Sequence, residues 1–180
     1  MRDRETTNLP RPFEGWRPDG AVRAGVEGFR AMLESAGGEV VCQPDEPTAA
    51  AWLARFAADF PSAASGATVP AALRPSLPER VPDEAPLGVS MARCAIAETG
   101  SLVMDARDGR RAQLLPPTHV VFVHRRDVHD TFRSALMTLR ADLPSALGLH
   151  SGPSKSADIG HVMVKGVHGP GRLIAVVIGV

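Results

Sequence analysis

Two short apolar runs constrain the fold of this chain more than any other feature. His119–His124 reads HVVFVH and Leu173–Ile178 reads LIAVVI, both rich in the β-branched and aromatic side chains that favour strands. The first run is nearly continuous rather than alternating, which suits a sheet covered on both faces, as parallel sheets are. The second predicts a final buried strand. Neither is long enough to cross a bilayer as a helix, which takes about 18 consecutive apolar residues; Leu173–Val180 supplies eight. With 180 residues and 44% hydrophobic content, the chain is large enough to bury a core around such a sheet as about one domain.

The rest of the chain supplies the covering helices. Residues 1–18 are polar and proline-rich and predict a flexible N-terminal arm. Residues 19–180 then read as a single α/β domain. A helix is expected from Asp19, its N-cap, with Val22, Val26, Phe29 and Leu33 on one face and Gly37-Gly38 ending it. Glu39–Gln43 predicts a strand. Thr48–Asp59 predicts a second helix, with Trp52, Phe56 and Phe60 spaced by four and Pro61 closing it. Six prolines between 61 and 86 exclude long regular elements there and predict a surface excursion within the domain. Leu87–Met91 and Ser101–Asp105 predict strands, Ala92–Glu98 a helical turn, and Asp108-Gly109 a hairpin-type turn. Asp130–Leu143 predicts a helix with Phe132, Leu136 and Leu139 on one side.

Charge and cysteine content narrow the function classes. The chain is neutral overall, but residues 1–90 hold 13 acidic and 9 basic side chains, and residues 91–180 hold 7 and 11. All six histidines lie in the basic half. Neutrality, the lack of tyrosine and the absence of a nucleic-acid module argue against a nucleic-acid partner. Arg107, Arg110, Arg111, Arg125 and Arg126 read as solvated loop charge. The N-terminus has no apolar h-region, so a signal peptide is not expected. Cys42 and Cys94 sit in apolar surroundings and read as reduced thiols, which fits the cytoplasm. Two cysteines cannot hold an iron–sulfur cluster on thiolates alone. His119 and His124 are five apart and point to opposite faces of a strand, and no HxH or HExxH occurs, so no metal site is expected.

Chemistry concentrates in three glycine-punctuated segments of the basic half: Ala95–Ser101 (AIAETGS), Ser151–Ile159 (SGPSKSADI) and Gly166–Pro170 (GVHGP). Gly152 and Gly169 would let backbone approach an anion. Ser154 and Ser156 add hydroxyls, and Lys155 adds a positive charge. The second segment lacks the GxxxxGK[ST] spacing of a phosphate loop, and position 152 excludes an SxxK nucleophile. Asp158 and His168 would form a carboxylate–imidazole pair if brought together; turn chemistry explains each of them equally. Glu98 is a charge in an apolar context, either functional or a carboxylate at an element end.

The same segments resemble the LUD-domain family, the lactate-utilisation proteins of LutC or YkgG type. AIAETGSLV at 95–103, GPSKSADI at 152–159 and GVHGP at 166–170 follow that family's motifs in order and approximate spacing, over about residues 84–180. Ser101 and Ser156 replace the usual threonines and keep the hydroxyl, whereas Gly160 replaces a usual glutamate. The resemblance implies a mostly parallel sheet flanked by helices, similar to the sugar-phosphate isomerase and CoA-transferase fold. It also implies an accessory role in oxidising L-lactate to pyruvate beside iron–sulfur partner proteins, with no cofactor on this chain. Thr99, Gly100, Ser101, Gly152, Ser154, Lys155, Ser156 and Gly169 are then the expected ligand-binding positions for a small anion. Glu98, Asp158 and His168 are the candidates for catalysis if the chain is instead a stand-alone isomerase-, CoA-transferase- or cyclo-ligase-like enzyme; a regulatory anion-binding module is the third reading.

Overall fold

The computed structural model describes residues 24–157, 163–166 and 168–180. In chain order the helices are α1 (Gly25–Ser35), α2 (Glu46–Ala57), α3 (Arg110–Leu114) and α4 (Phe132–Leu139). The strands are β1 (Glu39–Gln43), β2 (Ala63–Ser65), β3 (Leu87–Met91), β4 (Cys94–Ile96), β5 (Ser101–Asp105), β6 (Thr118–His124), β7 (Val128–His129), β8 (Leu147–His150), β9 (Lys155–Ala157), β10 (Met163–Lys165) and β11 (Arg172–Ile178). Five of them form a parallel sheet in the order β1-β11-β6-β3-β2. A second, mixed sheet has the order β7-β4-β5-β8, and β9 pairs with β10.

The two apolar runs become the central strands β6 and β11, and alternation along them divides the core. Ile174, Val176 and Ile178 pack with Val120 and Phe122 beneath α2, against Ala49, Leu53 and Ala57. Leu173, Ala175 and Val177 point the other way with Val121 and Val123, onto α1 through Phe29 and Leu33 and onto the second sheet through Leu102 and Met104. Both faces are dry, which is why these strands need no polar side chain at their centres. The second sheet's far face is closed by Ala135 and Leu139 of α4.

Local signals account for most element ends. Gly37, at φ +87°, and Gly38 close α1, with the Gly38 amide donating to the Leu33 carbonyl. The start expected at Asp19 and Val22 lies outside the described residues. α2 begins at Glu46, two residues before Thr48, because Asp45 accepts from the Thr48 amide at 2.8 Å as N-cap and Pro47 sits in the first turn. The proline-rich stretch runs along the sheet edge, contributing β2 and a 3-10 turn that buries Leu73.

Three local expectations are corrected. Ala92–Glu98 contains strand β4 (Cys94–Ile96) rather than a helical turn, since Ala95 and Ala97 face the core shared with α1 while Cys94 and Ile96 face α4. That is a period of two with both faces buried. Asp108-Gly109 makes no hairpin. Asp105 caps a 3-10 turn through the Arg107 amide, and the buried Asp108 accepts from the Thr68 amide and hydroxyl, so α3 follows instead of a returning strand. The helix expected over 130–143 is shortened to Phe132–Leu139 by a capping box between Thr131 and Ser134.

Candidate functional site

The turn between β4 and β5 carries the first motif. Gly100 adopts φ +61°, and a Cβ there would stand 2.5 Å from the Leu33 amide nitrogen, so the turn lies directly on the α1 backbone. Glu98 accepts from the Phe132 amide at 3.0 Å and its own amide donates to the Asp130 carbonyl, which makes it a cap for α4. Thr99 and Ser101 share a hydrogen bond of 2.7 Å, and Ser101 shares another of 2.6 Å with Ser151. This chain of hydroxyls joins the first motif to the second.

The second motif also closes on α1. A Cβ at Gly152 would lie 3.0 Å from the Ala36 carbonyl, and Lys155 donates its ammonium to that same carbonyl. A cation there complements the unpaired carbonyls of a helix C-terminus. Ser154 meets the third motif three ways: its amide donates to the Pro170 carbonyl, its carbonyl accepts from the Gly166 amide, and its hydroxyl accepts from the His168 amide at 3.4 Å. Gly169 packs against the Ser154 side chain. Ser156 lies on β9 opposite Val164, and Asp158 lies outside the described residues.

All three motifs therefore meet around the C-terminal end of α1. The third precedes β11, placing the cluster at the amino-terminal edge of the parallel sheet, whereas open α/β sheets bind ligands beyond the carboxyl ends of their strands. Arg172 and Glu39 pair there through two bonds of 2.7 and 2.9 Å, which hold the starts of β11 and β1 together and pull the Glu39 carboxyl below its ordinary range. A cavity of about 640 Å³ opens at this edge, lined by His168, Gly166, Gly169 and Gly171 with Leu114 and Leu115. Of the positions singled out from sequence, His168 and Gly169 face it. Gly100, Gly152 and Lys155 are committed to α1, and Glu98 is committed to α4. Replacing Glu98 with alanine is expected to cost about 1 kcal/mol. Hydrogen exchange should read this as faster exchange confined to the first turn of α4; unchanged protection there would remove its capping role.

Sequence reasoning missed a second polar group. His119 on β6 is fully buried between the two sheets, its Nε2 2.9 Å from the Ser90 hydroxyl and its ring 6.0 Å from His150. Burial, then the neighbouring His150, pushes the His119 pKa down to about 3, and burial also lowers that of His150. The only sequence signal was a histidine opening an otherwise apolar strand. Among the described residues no three His, Cys, Asp or Glu side chains gather to hold a metal. Cys94 is buried and its thiol is pushed up to about 11, mainly by burial.

Residues 80–178, which contain all three motifs, match the family described as the LUD domain. This chain belongs to the LUD-domain family. It is 32% identical over 107 residues to lactate utilization protein C of Macrococcus caseolyticus, covering 55% of this chain and 46% of that protein. It is 39% identical over 90 residues to lactate utilization protein C of Deinococcus radiodurans, covering 47% and 42%. The chain thus spans less than half the length of these curated relatives. Among solved structures, a DUF162 family protein from Deinococcus radiodurans superposes with a TM-score of 0.68 at 20% identity, over 85% of this chain and 95% of that one. The fold of this LUD protein is accordingly a mostly parallel sheet flanked by helices, shared with that structure. No described helix is long and apolar enough to cross a membrane.

Proposed function

We propose that this LUD protein is an accessory subunit of a system oxidising L-lactate to pyruvate, and that it binds a small carboxylate beside iron–sulfur partner proteins in the cytoplasm. The observation that carries the reading is the cavity beside the third motif, lined by Gly166, His168 and Gly169. His168 can donate to a carboxylate, the glycine loop lets backbone approach it, and Leu114 and Leu115 supply an apolar wall for the rest of a small acid. The LUD-domain match spans residues 80–178, which include this cavity's lining, and the chain is similar to relatives named for lactate utilisation. Oxidation of L-lactate to pyruvate releases two electrons and two protons. Two cysteines, one of them a buried high-pKa thiol, do not suffice to hold an iron–sulfur cluster on thiolates in this chain, which supports placing such clusters on partner proteins. The occupied state of Glu98 favours a subunit over a stand-alone acid–base enzyme, because its carboxylate already accepts from Phe132.

Pull-down from the native host with mass spectrometry should recover iron–sulfur proteins, and deletion should abolish growth on L-lactate. Normal lactate growth after deletion would overturn the proposal. L-Lactate or pyruvate in large excess should raise the melting temperature of the purified chain. Stabilisation of about 2.7 kcal/mol is expected at a hundred times Kd.

A further inference from the structure

A second cavity lies on the other side of Leu114, between α3 and β8. Its volume is about 240 Å³, below the roughly 300 Å³ at which pockets for drug-sized ligands begin. At about 30 Å³ for each water-sized group, roughly eight non-hydrogen atoms fill it. Arg110 is the one charged side chain in the lining, and it forms no ion pair with any described carboxylate. Leu114, Leu147 and Leu149 supply apolar stretches of the wall, and Gln113 a further polar one.

The polar end is built from inside the protein. His150 lines the cavity, and its imidazole makes no hydrogen bond to any described residue. Its ring meets His119 edge-on, and the Ser90 hydroxyl holds His119 from behind. The ring nitrogen is reachable because position 148 is glycine; a Cβ there would come within 3.2 Å of His150 Nε2. Burial keeps both imidazoles uncharged, so the cavity offers one fixed cation and one neutral hydrogen-bonding ring. A single guanidinium matches a monoanion, and its planar fork matches a carboxylate. A phosphate dianion would need more positive charge than this lining holds.

We propose that the crevice between α3 and β8 is a binding site for a small organic monocarboxylate, with Arg110 pairing the carboxylate and His150 Nε2 hydrogen-bonding a second polar atom of the acid.

This site stands on residues separate from the motif cavity, and the test keeps the two apart. Acetate, L-lactate and inorganic phosphate are titrated into the full chain while the imidazole signals of His150 and His168 are followed by NMR. Acetate and L-lactate should shift the His150 signals saturably, with phosphate at least tenfold weaker. Arg110→Gln, an exposed change, should weaken the His150 response at least tenfold, and Gly148→Ala should block it sterically. His168→Ala should leave the His150 response in place. Saturation at His168 without any at His150 would place the acid in the motif cavity alone, overturning this site and leaving the proposed function standing. A His150 response that ignores both Arg110→Gln and Gly148→Ala would equally overturn it, as would silence at both rings up to tens of millimolar acid, which would also remove the motif cavity.

Discussion

Acidification from pH 7 to pH 5 will destabilise this protein through His119. The sign follows from protons bound in each state. An unfolded histidine titrates near 6.5, whereas folded His119 stays neutral down to about 3. The stability it contributes is complete above pH 6.5 and drains away as pH falls through 6.5 towards 3, because only the unfolded chain takes up the proton. Each pH unit in that window is worth about 1.4 kcal/mol, giving on the order of 5 kcal/mol over the whole range. His150 acts in the same direction, since burial lowers its pKa too. Glu39, held low by Arg172, contributes stability that is lost only below its unfolded value of 4.5. The interval from pH 6.5 to 5 therefore belongs to histidines. Urea midpoints measured at steps across it should fall for the native sequence and flatten for His119→Gln, which can still reach the Ser90 hydroxyl. Identical slopes for the two proteins would mean that His119 titrates normally in the folded state.

Gly100→Ala is expected to be the most damaging single methyl in the motif half. The added carbon would sit 2.5 Å from the Leu33 nitrogen and 2.7 Å from the Met32 carbonyl carbon, both backbone atoms of α1 that no side-chain rotation can move. The left-handed conformation adds a cost of about 1–2 kcal/mol by itself, and overpacking adds roughly 1–3 kcal/mol. A total near 3 kcal/mol corresponds to a melting temperature lower by roughly 10 °C in a chain of this size. Gly109→Ala is the comparison. Its φ is also positive, at +98°, but with ψ 101° it lies outside the left-handed helical region, and nothing lies within 4 Å of its Cβ, so it should show a backbone cost without a steric one. Equal losses for the two variants in thermal unfolding would show that the contact with α1 gives way.

Together these two variants separate what the motif residues do. Gly100, Gly152 and Lys155 hold α1 against the β4–β5 turn and the loop after β8. The spelling AIAETGS thus encodes packing as much as chemistry. Glu98, conspicuous as a charge among alanines, stands at the end of α4 as its capping carboxylate.

Strands β6 and β11 were legible because continuous β-branched runs leave few other ways to bury their side chains on both faces. The bodies of α1 and α2 were legible from their four-residue spacing, and the end of α1 from Gly37-Gly38, whereas the Asp45 cap that starts α2 at Glu46 came only with the structure. Membership of the LUD family was legible as well, since motif order survives in a linear string. The same string misled at β4. Alanine carries strong helix propensity, but three residues pinned between the α1 core and the α4 core take the period of two that buries both faces.

Tertiary structure alone decided where the motifs meet and which histidines matter. Ser101 and Ser151 are 50 residues apart and Lys155 and Ala36 are 119 apart; the first contact depends on the pairing of β5 with β8 and the second on where the loop after β8 meets the end of α1, which no local pattern encodes. His119 and His150 come together only because the second sheet lies across the first, burying one imidazole completely and leaving the other at a cavity wall. Side-chain periodicity is a local property and reads directly from sequence. Desolvation depends on everything that packs around a group, so the altered ionisation of His119 exists only in the folded chain.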